Sequence, residues 1–168
     1  MDEAMYQFLV DEIFTLVLQG TLQRSPTYEE KVSERRKADF KQALRDDLER
    51  MALEYENPVL EETHVSNIDT LARDLSNRFR DCLLQGRFRI GSAQKALNLY
   101  LKYIWCLGKI PPPPHCPFDS IIIQRLGCHM SWTELDRIEE YQTLVERAKQ
   151  AADGRPLAEW ELFEYNNA

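Results

Sequence analysis

The chain of 168 residues holds 6 glycines, 8 prolines and 4 cysteines, and each scarcity excludes something. So little glycine, with no repeat and no low-complexity run, excludes collagen-like and disordered chains. Four irregularly spaced cysteines do not make a disulfide framework and read as reduced thiols, the expectation for a cytoplasmic protein. No apolar run reaches the ~18 residues of a membrane-spanning helix, so no membrane association is expected. Met1-Asp2-Glu3 lacks the basic region of a secretory signal. Several chemical signatures are missing too: a Gly-rich phosphate loop, a Gly-x-Ser-x-Gly elbow, a His-Glu-x-x-His pair and a helix-turn-helix pattern. Alternating β-branched runs are also absent, which leaves little room for a sheet.

What the chain has in plenty is helix-forming residues in apolar 3.6-residue periods. They predict an all-α single domain, residues 1–168, of six or seven helices. The first runs from about Asp2 to Gln19, with Met5, Phe8, Leu9, Ile13, Leu16 and Val17 on its stripe. Ser25-Pro26 opens a long second helix to about Glu56. A third spans Val65 to Gln85. The fourth, Ser92 to Leu107, is apolar on nearly every face and belongs at the centre of the core. After the stiff Pro111–Pro114 stretch, Asp119 or Ser120 caps a short element ending near Leu126. Ser131 and Glu134 form a capping box for a sixth helix to about Ala152, and Pro156 begins a last short one.

Charge is unevenly placed. Residues 78–109 carry Arg78, Arg80, Arg87, Arg89, Lys95, Lys102 and Lys109 against Asp81 alone, while the flanks are acidic and the whole chain has net charge −7. Such asymmetry marks either a surface for an anionic partner or a basic segment neutralised internally by acidic helices. Within it, Lys95, Asn98 and Lys102 fall at i, i+3 and i+7, on one face of the fourth helix. Arg87 and Arg89 precede that helix, whose N-terminal N–H groups favour anions. Arg87, Arg89, Lys95, Asn98 and Lys102 are therefore candidate binding residues for nucleic acid or a protein partner. The competing reading makes the same stripe the solvent face of an amphipathic helix.

Cys106, His115, Cys116, Cys128 and His129 are metal-ligating types, but no Cys-x2-Cys or His-x3-His knuckle joins them. No metal and no cofactor is expected. Cys106, inside the fourth helix, should be a buried small hydrophobe.

Gly91-Ser-Ala-Gln-Lys95-Ala-Leu on a helix, followed by Cys116-Pro-Phe-Asp119-Ser-Ile-Ile, resembles the core of helix-hairpin-helix DNA glycosylases. The similar stretch, residues 91–123, covers about a fifth of the chain. The resemblance implies that Lys95 attacks the sugar carbon after base removal and that Asp119 assists. The residues thus predict a non-catalytic helical binding protein with a basic centre. The resemblance implies the alternative, a glycosylase/lyase-like enzyme using Lys95 and Asp119. A helical subunit that self-associates through its terminal aromatics is a third class.

Overall fold

The computed structural model describes residues 2–167. Seven α-helices follow one another among them: α1 (Glu3–Thr21), α2 (Glu34–Ala52), α3 (Glu61–Arg78), α4 (Ile90–Cys106), α5 (Ser120–Arg125), α6 (Ile138–Ala152) and α7 (Leu157–Asn166). Single 3-10 turns intervene, and no strand occurs among the described residues beyond one isolated bridge, Tyr28 to Leu83. The fold is all-α, as the periodicity predicts. Among the described residues no helix is long and apolar enough to cross a membrane.

Helix α4 is the axis. It touches α1, α2, α3, α6 and the 132–134 turn. Ala93, Ala96, Leu97 and Leu101 are sealed from solvent along it. On α1 the buried stripe is Val10, Ile13, Phe14 and Val17, at i, i+3, i+4 and i+7. Met5, Phe8 and Leu16, expected on that stripe, face outward. Gly20 lets α1 come close to α4, since a Cβ there would lie 2.9 Å from Leu99 Cδ2.

Three expected boundaries are corrected. Residues 26–33 are not helical, and α2 begins at Glu34, capped by Ser33, whose hydroxyl accepts the Arg36 N–H. The preceding segment instead bonds to the end of the α3 loop: Glu29 N–H donates to Cys82 C=O and Leu84 N–H to Thr27 C=O. The Ser131 cap holds only the turn Trp132–Glu134, after which Leu135 and Arg137 are extended and α6 starts at Ile138. α3 likewise ends at Arg78, not Gln85.

That short turn is what shapes the site. It lies so close to the start of α4 that a Cβ on Gly91 would stand 1.7 Å from the Trp132 carbonyl oxygen. Gly91 N–H donates to Leu135 C=O at 2.8 Å. Because Lys95 is one helical turn beyond Gly91 on the same face, the turn resting on Gly91 sets Trp132 over Lys95. Gly91→Ala should therefore cost about 3 kcal/mol, since backbone rather than a flexible side chain blocks the new methyl. Urea unfolding measures this, and a near-neutral result would refute the close contact.

A candidate anion-binding groove along α4

Three basic side chains face one groove. Lys95 and Lys102 come from α4, and Arg24 from the turn that follows α1. Lys95 is only 5% exposed. Its Nζ sits 4.2 Å from the centre of the Trp132 ring. Among the described residues no carboxylate comes within ion-pair distance of it. Burial pulls its pKa below the ordinary lysine value, Asp119 partly offsets this, and Arg24 adds to it. A pocket of about 290 Å³ lies here, lined by Arg24, Lys95, Asp119, Trp132 and the hydroxyl residues Ser120, Ser131 and Thr133. A second, of about 480 Å³, continues from it between α1, α4 and α7, and shares Arg24, Lys95, Asp119 and Ile121.

Lys102 lies in that second space and is not free. Its Nζ is 2.8 Å from Oε2 of Glu161, a carboxylate 2% exposed, and 4.7 Å from the Tyr165 ring. Burial raises the Glu161 pKa, and Lys102 opposes that rise. Asp119 caps α5, with its Oδ1 accepting the Ile121 and Ile122 N–H groups, both at 3.0 Å. Lys95 and Asp119 thus share a pocket, but one oxygen of Asp119 is committed to the backbone.

The other candidates lie elsewhere. Arg87 pairs with Asp136 at 2.9 Å. Arg89 donates to the Thr133 carbonyl and to Gln85. The basic segment is partly neutralised by its acidic flanks: Arg78 reaches Asp47, while Asp81, its single acid, receives a two-pronged contact from Arg36.

Asn98 belongs to a sealed polar core, not to the groove. Phe118 N–H donates to Gln94 Oε1, and Gln94 Nε2 donates back to Phe118 C=O. This fixes the Gln94 amide, so the Asn98 atom facing Oε1 is its NH2 group, which also donates to Tyr141. Asn98 Oδ1 then accepts from His64 Nε2 at 2.8 Å. Neutral His64 leaves Nδ1 to accept the Tyr55 hydroxyl, whose oxygen takes a bond from Asn67. On the other branch Tyr141 donates to His115 Nδ1 at 2.7 Å. The His115 proton is therefore on Nε2, which has no hydrogen-bond partner among the described residues and lies 3.8 Å from Glu61. Burial lowers both histidine pKa values from 6.5 to about 3. Sequence reasoning missed this network. Its signal was that Gln94 and Asn98 on an all-buried helix require buried partners.

The cysteine and histidine candidates do not assemble. Cys106 is exposed, not buried as expected, and Cys116 is sealed from solvent, with burial first and the nearby Glu161 carboxylate second pushing its thiol pKa up. Cys128 accepts from Arg147 at 3.4 Å. No group of three or more His, Cys, Asp or Glu among the described residues is placed to hold a metal ion.

No protein-family model, curated protein or solved structure matches this chain.

Proposed function

We propose that the protein is a non-catalytic helical binding protein that receives the anionic group of its ligand in the groove at Lys95. One observation carries this reading: a lysine only 5% exposed, with no carboxylate among the described residues at ion-pair distance from its Nζ, lines an open pocket. Withdrawing a charge from water costs several kcal/mol unless another charge or dipoles compensate, and an anion beside Arg24 and Lys95 supplies that compensation. The site is narrower than a charged face spanning 78–109, because Arg78, Arg87 and Lys102 already have acidic partners. An anionic end of a nucleic acid or of a protein partner suits it better than a duplex backbone, which calls for exposed cations in a row. A cytoplasmic setting accords with the four free thiols.

The test is Lys95→Met, which keeps the length and apolar contact but removes the charge. The wild-type melting temperature should rise in orthophosphate relative to chloride at equal ionic strength, and in the variant that rise should shrink to the general effect of a kosmotropic salt. Without ligand the variant should melt about 2–4 °C higher, the equivalent of about 1 kcal/mol, because an uncompensated charge is gone. An unchanged phosphate response, or a variant that melts lower, would count against the proposal.

The shared pocket of Lys95 and Asp119 also favours a second reading, the lyase. Its test is borohydride trapping on an oligonucleotide with an abasic site. Attack of the amine on the sugar aldehyde, with loss of water, forms an imine that hydride reduces to a stable adduct. A covalent adduct lost in Lys95→Met would establish this reading in place of the first.

A further inference from the structure

We infer that the ligand is a phosphate monoester of a nucleoside, its phosphate in the pocket at Lys95 and its base in the adjoining space beside Tyr165. This rests on the anion-binding reading above and deepens it.

The smaller pocket has the chemistry of a phosphate seat. Two cations, Arg24 and Lys95, meet three hydroxyl residues in about 290 Å³. Ser131 and Thr133 hydroxyls bond to each other at 2.7 Å, and Ser131 also accepts the Thr133 N–H at 3.3 Å. One hydroxyl hydrogen of that pair thus remains for a ligand. A phosphate monoester, with three oxygens and nearly two charges at neutral pH, uses more of these donors than a carboxylate does.

The larger space has the chemistry of a ring seat. Leu16, Leu99, Tyr103, Leu162 and Tyr165 line it with apolar and aromatic surface, Lys102 Nζ lies 4.7 Å from the Tyr165 ring centre, and the Lys102–Glu161 pair supplies a donor and an acceptor among them. An acyl chain would gain nothing from that ion pair. A heterocyclic base uses both, stacking on an aromatic ring and hydrogen bonding at its edge. Leu16 is 44% exposed and Tyr165 51%, so the apolar rim is open to a ligand. Asp119 lines both spaces, where the sugar of such a ligand would lie. Its Oδ1 is held by backbone N–H groups, which leaves Oδ2 to accept a sugar hydroxyl. The larger volume, about 480 Å³, falls within the general range of small-molecule sites, roughly 300–1,000 Å³, and the smaller, about 290 Å³, lies just below it.

The ligand has two possible sources, a free mononucleotide or the phosphorylated end of a single strand. Calorimetric titration of the full chain separates them. The probes are adenosine and uridine 5′-monophosphates, adenosine, orthophosphate, and a short single strand with and without a 5′-phosphate. The better of the two phosphorylated forms should bind about tenfold or more tighter than orthophosphate or adenosine alone. A preference for the mononucleotide identifies the free ligand, and a preference for the phosphorylated strand over its unphosphorylated twin identifies a strand end. Lys95→Met should weaken that binding about tenfold or more. Arg24→Gln, at an exposed position that does not threaten folding, should weaken it in the same direction. Tyr165→Ala should cost about fivefold for the nucleotide and leave orthophosphate binding unchanged. Lys95-dependent binding of orthophosphate with no gain from the nucleoside would overturn this inference and leave the anion-binding reading standing. Absence of any Lys95-dependent anion binding would overturn both.

Discussion

The free energy of unfolding should fall by about 5 kcal/mol between pH 6.5 and pH 4.5 as two histidines gain protons on unfolding. His64 and His115 are fully enclosed, and burial lowers the pKa of each from 6.5 to about 3. The folded state holds them neutral and the unfolded chain does not. Their contribution is therefore complete above pH 6.5 and is lost as pH falls through the window down to about 3. Each unit of pH removes about 1.4 kcal/mol per histidine. Neither ring can take up its second proton in place. His64 Nδ1 would lose the Tyr55 hydroxyl it accepts, and His115 Nδ1 that of Tyr141. The rings also stand 4.8 Å apart, so charging one opposes charging the other. Outside the pair, His115 faces both Glu61 at 3.8 Å and Lys149, which itself holds Glu61 at 2.7 Å. That carboxylate is thus already neutralised, and Lys149 helps to keep His115 uncharged. Urea unfolding at half-unit pH steps measures the slope, which should correspond to nearly two protons. His115→Phe should halve it, whatever that variant does to absolute stability. A slope unaltered by the substitution would mean that carboxylates carry the acid sensitivity.

A net stability of about 5–15 kcal/mol is usual for a domain of this kind, so a loss of that size would take the protein close to unfolding in mild acid. Ligand titrations at the Lys95 groove are therefore best made near neutral pH, where the network and the groove are both intact.

The sequence displays helices through local signals and hides whatever depends on distant partners. The axis α4 could be placed because Leu97, Leu101 and Ile104 lie amid apolar residues on every side, with Gly108 just beyond the end. Asp119 was recognisable as a cap because capping is satisfied within three residues, by Ile121 and Ile122. Residues 26–33 could not be read so. Their backbone bonds run to Cys82 and Leu84, more than 50 positions on, and no local pattern announces them. The Ser131–Glu134 box is a true cap on a false helix, since the tight seat on Gly91 stops the turn after Glu134. The face of Lys95, Asn98 and Lys102 was legible as a face, but its three fates were not. Trp132, Glu161 and the His64–Tyr141 pair lie up to 59 residues away and decide which side chain is stacked, paired or sealed in a network.

Asn98→Ala should cost about 4 kcal/mol, although it removes neither charge nor hydrocarbon. Asn98 is fully enclosed and joins the two halves of the network. It accepts from His64 and donates to Gln94 and Tyr141. Truncation leaves the His64 Nε2–H without an acceptor and deprives two oxygens of a donor. An unsatisfied buried polar group costs about 1–3 kcal/mol. Packing alone predicts a different pattern: Asn98→Leu, which refills the space, would recover most of the loss. The hydrogen-bond account predicts that Asn98→Leu is no better than Asn98→Ala, because neither can serve His64. Chemical unfolding of both variants at pH 7.5 decides the matter, and recovery in the leucine variant would show that volume, not satisfaction, matters at this position. The same pair of variants bears on the groove. Lys95 lies three residues before Asn98 on α4, with its Nζ 4.2 Å from the centre of the Trp132 ring. A phosphate response that survives in Asn98→Ala at temperatures where the variant is folded would show that the turn on Gly91, and not the sealed network, positions the lysine.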